Sequence, residues 1–317
     1  MTTVRHPKST GTPAMAFPDL RHDVVIAVDD TAEGRDAIAL GSTIAAVTGA
    51  EALLVGVYSA PMLPGVNSTE VRSQTRAQLV RLRDELAPAA VITTTNDLSV
   101  ARGLARVVRN RHAGLLVVGS NRHAPDGEAA IGPRARQLLE RVPCALAVAP
   151  RGWQLHDTKA LTTVGVGYDG GPEATAALTF AATLARNAGA RLHARAVVDE
   201  RLWAGLGYPG GIGTLAPLDY PAPIDWQAVV EDEIGTMRAR VASAVEGLDC
   251  DIETDVVSGL PVAELRTLSR SVDLLVIGSR RWGAIARVVS GSTGEGLLHG
   301  DTTCPVVIVP RPRTPSS

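Results

Sequence analysis

Short aliphatic runs recur along this chain, each followed by a longer stretch whose apolar residues return at helical spacing. DVVIAVD (23–29) ends at an acidic turn and leads into EGRDAIALGSTIAAVTGA, a helix that Asp30 or Thr31 can cap. ALLVGVY (52–58), a loop with Pro61 and Pro64, and a charged helical stretch around 69–86 come next. AVITTT (90–95), a helix near 99–111, LLVVGS (115–120), a helix near 133–141 and ALAVAP (145–150) complete the series. Such strict β-α alternation predicts parallel strands joined by right-handed helical crossovers, a doubly wound sheet.

The pattern then starts again. TTVGVGYD (162–169), a helix near 172–188, RLHARAVV (191–198), a helix near 225–246, DIETDVV (251–257), a helix near 261–270, LLVIGS (274–279), a helix near 292–299 and VVIVP (306–310) repeat the order. Landmarks recur with it: Gly119 and Gly132 match Gly278 and Gly291, Val28-Asp29-Asp30 matches Tyr168-Asp169-Gly170, and Cys144 to Pro150 matches Cys304 to Pro310. The period is domain-sized, so each copy is expected to close its own core. We place the two α/β domains at 21–150 and 161–311, joined by a linker at 151–160, with tails at 1–20 and 312–317. The Gly/Pro-rich stretch 203–223 is the one long loop, read as a functional flap or a poorly ordered segment.

Composition narrows the function classes. A 45% hydrophobic content over 317 residues suffices for two buried cores, and 3% aromatics suit tight aliphatic packing between helices and parallel strands. The net charge of −2 gives no global pull toward nucleic acid or an anionic membrane. Residues 1–20 lack an apolar leader core and no stretch approaches the ~18 apolar residues of a membrane span. The expected compartment is the cytoplasm. Cys144, Cys250 and Cys304 lack metal-ligand spacing and read as free thiols, with no metal site expected.

In open doubly wound sheets, ligands bind beyond the carboxyl ends of the strands. Asp169 follows the first strand of the second copy, where an aspartate can accept hydrogen bonds from a sugar diol or serve as a turn former. Gly278 and Gly291 bracket a loop that enters a helix through Ser292 and Thr293, whose amides and hydroxyls suit an anion. Arg280, Arg281 and Arg287 either add phosphate contacts or are solvated surface charges.

Taken together, these residues resemble those of a tandem universal stress protein. The nucleotide-binding members of that family carry G-x2-G-x9-G-S/T after the fourth strand, an Asp after the first and a Cys-Pro pair before the fifth. Gly278, Gly291, Ser292, Asp169 and Cys304-Pro305 stand in those places, and the resemblance spans about 23–150 and 161–310. It implies two five-stranded parallel sheets of the Rossmann-like, adenine nucleotide alpha hydrolase-like kind. It also implies a loop that cradles ATP phosphates, an aspartate that holds the ribose, and an adenine packed near Tyr168 and Val197 or Val198. ATP is the implied ligand, AMP and ADP the alternatives, with Mg2+ entering only on the nucleotide.

Departures from the motif make the copies unequal. Its middle glycine is Arg281 in the second copy and Arg122 in the first. The first copy also has Pro133, without hydroxyl or amide hydrogen, where the family has Ser/Thr, and Asp126 and Glu128 place negative charge in its loop. The second copy is therefore expected to be the better nucleotide site. Asp29, Gly119, Arg122 and Gly132 form a weak or empty one.

Competing motifs fail on context. Gly165-x-Gly167-x-x-Gly170 matches the dinucleotide fingerprint formally, but Asp169 lies in the turn where a pyrophosphate would sit. Neither Lys8 nor Lys159 follows a glycine loop, and no G-x-S-x-G or H-E-x-x-H occurs, so no catalytic residue is assigned and slow ATP hydrolysis ranks third. Two readings remain: a stress regulator that binds adenine nucleotide, and an interaction protein of the same fold that needs none. ALAVAP and VVIVP are short apolar edges that need partners, so the two copies are expected to pair with each other, with a homodimer beyond that.

Overall fold

The computed structural model describes residues 22–59, 68–155, 160–199, 201, 225–279 and 293–310. The tails, the loop 203–223, Arg280, Arg281, Arg287, Gly291 and Ser292 fall outside them. The first half comprises β1 (Val24–Ala27), α1 (Ala32–Thr48), β2 (Ala52–Tyr58), α2 (Ser68–Leu86), β3 (Val91–Asn96), α3 (Val100–Arg111), β4 (Leu115–Gly119), α4 (Pro133–Leu139) and β5 (Ala145–Ala149). The second comprises β6 (Thr163–Tyr168), α5 (Pro172–Ala188), β7 (Arg191–Asp199), α6 (Trp226–Val245), β8 (Ile252–Gly259), α7 (Pro261–Ser269), β9 (Leu274–Ser279), α8 (Thr293–Leu297) and β10 (Val306–Pro310). Every aliphatic run forms a strand, because β-branched and leucine side chains fill both faces of a sheet covered by helices.

Within each half the strands are parallel, and the order is β3-β2-β1-β4-β5 in one and β8-β7-β6-β9-β10 in the other. The halves join through β5 and β10, which run antiparallel with Val306, Val307 and Ile308 opposite Val148, Ala147 and Leu146. One ten-stranded sheet results, and its outer edges are β3 and β8. The two short strands expected to need partners thus satisfy each other's backbone groups within the chain. All five residues of β5 are buried, as a strand in the middle of a two-faced sheet requires.

Local signals explain where elements begin and end. Thr31 caps α1, its Oγ1 accepting from the Gly34 amide at 3.1 Å, and Gly49 closes the helix at φ 69°. Pro172 opens α5 without needing a side-chain cap, since its missing N–H is one that helix starts leave unpaired anyway. The start of the 151–160 connection is firmly packed. Residues Trp153–Leu155 form a 3-10 turn with Trp153 buried, and the fully buried Asp36 of α1 accepts from the Gly152 and Gln154 amides at 2.8 and 2.9 Å.

The halves also differ on one face. Leu53 and Val55 of β2 lie in the core, whereas His193 and Arg195 hold the matching register positions on β7. Arg195 Nη2 and Nε donate to Asp255 Oδ2 at 2.6 and 2.9 Å, and Nη1 donates to the Glu264 carbonyl. His193 Nε2 lies 3.3 Å from Asp255 Oδ1 but lacks hydrogen-bond geometry.

Cys144 and Cys304 sit just ahead of the paired fifth strands, both buried and both free. Burial pushes the Cys144 thiol up to about 12 and the Cys304 thiol up as well. Cys250 is only half-buried. At pH 8 a disulfide reagent is expected to titrate one thiol in the native protein and all three after denaturation, since the thiolate is the nucleophile. Two or three thiols reacting at once in the native protein would contradict the packing role.

Candidate functional site

Each half has a point where the chain leaves a central strand in opposite directions. β6 pairs with β7 on one side and with β9 on the other, so the carboxyl ends of β6 and β9 flank the crevice where doubly wound sheets bind ligands. β6 delivers Asp169 there. The Gly171 amide donates to Asp169 Oδ1 at 2.8 Å across Gly170, whose φ of 80° is left-handed. The aspartate is therefore oriented by its own turn.

β9 brings Gly278 and Ser279 to the same crevice. A Cβ on Gly278 would lie 2.5 Å from the Glu173 carbonyl and 2.8 Å from the Ala174 amide, so the first turn of α5 packs directly on that backbone. Gly278 thus has a structural reason to be glycine before any ligand is considered. Ser279 is 5% exposed, and its Oγ has no hydrogen-bond partner among the described residues. Thr293 opens α8, half-buried; Arg280, Arg281, Gly291 and Ser292 lie outside the described residues.

The residues expected around an adenine divide between the faces of the sheet. Tyr168 and Val198 are buried in the core with α5 and α6, whereas Val197 alternates to the opposite face and is half-buried. At the end of β7, Arg201 Nε donates to Asp199 Oδ1 at 2.9 Å and Nη2 lies 2.5 Å from Oδ2, which holds the Asp199 carboxyl below its usual range. That carboxylate stays charged at neutral pH.

The first half shows the same geometry with its loop closed. Asp29 follows β1 and accepts from Thr31 Oγ1 at 2.5 Å. A Cβ on Gly119 would meet the Glu33 carbonyl carbon at 2.6 Å. Gly132 caps α4 with extended backbone and clears Asn121 by 3.6 Å, so no contact among the described residues requires glycine there. Ser120, the counterpart of Ser279, has its Oγ 2.8 Å from the Ala149 carbonyl and 3.1 Å from the Glu128 carbonyl, and it accepts from the Ala130 amide at 3.1 Å.

Protein groups hold the rest of that loop. The Asn121 amide donates to the Ala130 carbonyl, and Arg151 Nη1 donates to the Arg122 and Ala124 carbonyls, each at 3.0 Å. Asp126, expected to repel a polyphosphate, is paired with Arg151 Nε at 2.9 Å. Glu128 points to the second half, where its Oε2 accepts from the Asp301 amide at 2.7 Å. Arg122 is exposed, and its Nε donates to His123 Nε2 at 3.1 Å. Sequence reasoning missed these cross-chain partners, since their separation in the chain exceeds any motif.

Among the described residues, no group of three or more His, Cys, Asp or Glu side chains could hold a metal ion, and no helix is long and apolar enough to cross a membrane. The model of the universal stress protein family matches residues 21–150 and again 161–310. A universal stress protein of Mycobacterium tuberculosis (strain ATCC 25618 / H37Rv) is 25% identical over 307 residues, spanning 93% of this chain and 99% of the relative. The crystal structure of a universal stress protein from Archaeoglobus fulgidus DSM 4304 covers 92% of this chain and 99% of its own, at 15% identity and a TM-score of 0.63. A putative universal stress protein from Pseudomonas aeruginosa UCBPP-PA14 covers 92% and 94% at 15% identity and a TM-score of 0.59. Likeness at that identity speaks for the fold alone.

Proposed function

This chain belongs to the universal stress protein family, and on that premise we propose that it is a stress-response regulator that binds adenine nucleotide, ATP foremost, mainly in its second half. The observation that supports this reading is the Ser279 hydroxyl, buried at the end of β9 with no partner among the described residues, where Ser120 is engaged by protein groups in the first half. An unmet buried hydroxyl costs about 1–3 kcal/mol, which a polar ligand or the loop folded around it would recover. Asp169, oriented by its own turn at the end of β6, would hold a ribose on this reading, and Val197 would offer an apolar surface to the base. Gly278, Arg280, Arg281, Gly291, Ser292 and Thr293 complete the site on this reading. Asp29, Gly119, Arg122 and Gly132 contribute a weak site or none, since their loop is bound by protein groups.

The reading assigns no dedicated acid, base or nucleophile, so ATP turnover is slow at most. It places the protein in the cytoplasm as a homodimer, which must use surfaces other than the fifth strands because these are paired within the chain; light scattering gives the mass. An interaction protein that needs no nucleotide is the second reading, favoured by the closed loop of the first half.

Chromatography of heat-denatured purified protein is expected to release adenine nucleotide from the parent and none from Gly291→Asp. Mg-ATP at ~100 times its dissociation constant is expected to stabilise the parent by about 2.7 kcal/mol. No nucleotide in either protein, with no thermal shift, favours the second reading instead.

A further inference from the structure

The loop of the first half is tied to the second by a short ladder. The Ala129 amide donates to the Thr302 carbonyl at 2.8 Å, the Ile131 amide donates to the Leu298 carbonyl at 3.0 Å, and Ala130 forms an antiparallel bridge with His299. Glu128 extends it, accepting from the amide of Asp301, a non-glycine residue held at φ 62°. Left-handed backbone at such a residue persists only where its surroundings enforce it.

The segment so gripped, 298–302, leaves the carboxyl end of α8 directly. Arg266 of α7 holds the same junction, Nη2 donating to the Gly296 carbonyl at 2.9 Å and Nη1 pairing with Asp301 Oδ2 at 3.1 Å. Thr302, fully buried, donates its hydroxyl to the Leu297 carbonyl at 2.7 Å. α8 is thus fixed at its far end by one arm from its own half and one from the other. Behind the second arm, Ser120 and Arg151 stitch the 120–131 loop shut.

We propose that the 120–131 loop of the first half acts as a brace for the second, with Glu128 a positioning residue that holds α8, whose first residue, Thr293, belongs to the nucleotide site on the reading above. This rests on the nucleotide reading above. The Glu128 carboxylate, which would oppose a polyphosphate in its own half, instead serves a backbone amide of the neighbouring half, so one copy's departure from the motif supports the other copy's site.

The test compares the full-length parent with Glu128→Ala and Glu128→Gln, the latter keeping an acceptor for the Asp301 amide. Mg-ATP binding is followed by calorimetry, and amide hydrogen exchange across 297–302 is followed without ligand. Glu128→Ala is expected to weaken Mg-ATP about fivefold or more, within the usual range of coupling between sites, while Glu128→Gln stays near the parent. Exchange across 297–302 is expected to quicken in the alanine variant alone. A parent that binds Mg-ATP and an alanine variant that binds it equally well overturn the brace and leave the nucleotide reading standing. A parent that binds no Mg-ATP overturns the nucleotide reading and removes the site this brace would serve.

Discussion

Replacing either Gly119 or Gly278 with alanine is expected to lower the midpoint of thermal unfolding by about 6–12 °C, a cost of roughly 3 kcal/mol or more. Each sits where the first turn of a helix, α1 or α5, lies on the end of a central strand, and the added carbon would enter the backbone of Glu33 or Glu173. A side chain can rotate out of such an overlap; a carbonyl in the first turn of a helix moves only if the helix shifts off the sheet. Gly132→Ala is the control. Its backbone is extended and its new carbon would meet Asn121 at an ordinary 3.6 Å, so its midpoint is expected to stay within about a degree. Equal losses at all three positions would show that the overlap is not the cause. The two glycines of the first half's motif therefore have separate physical origins: Gly119 permits helix–strand contact, and Gly132 meets no close contact among the described residues.

That distinction was not legible in the sequence, where both glycines read as parts of one loop. What could be read was local. VVIVP and LLVIGS read as strands, Thr31 was one of two residues standing where a cap belongs, and the equivalent Cys144 and Cys304 marked equivalent fifth strands whose bare edges called for a partner; the antiparallel direction of their pairing was not legible. RLHARAVV read correctly as a strand by alternation, yet nothing in it disclosed that His193 and Arg195 would face α7 in place of a leucine and a valine. Glu128 and Asp126 were legible only as negative charge. Their partners, the Asp301 amide and Arg151, depend on how two halves meet and how a connection returns, which no local pattern encodes. Tyr168 and Val198, expected beside the adenine, are core residues because alternation along β6 and β7 turns them toward α5 and α6.

Asp36 is the position where the sequence was least informative and where a single change is expected to matter most. In EGRDAIAL it resembles one more polar residue on the outer face of a helix, but it is fully buried and holds the Gly152 and Gln154 amides. Asp36→Ala removes two part-buried hydrogen bonds to a charged acceptor, each contributing about 1.5–3 kcal/mol. The expected loss is roughly 3–5 kcal/mol, read as a lower urea midpoint. Asp36→Asn should recover about half, since its amide offers one acceptor and turns a donor toward the other N–H. Because 151–155 can detach before the whole chain unfolds, part of the effect is expected as local opening, seen as faster tryptic cleavage after Arg151 under native conditions. Arg151 also grips the Arg122 and Ala124 carbonyls, so that opening would loosen the 120–131 loop. An unchanged urea midpoint together with unchanged cleavage would mean that Asp36 anchors nothing, and that the start of the connection is held by the burial of Trp153 and the contacts of Arg151 instead.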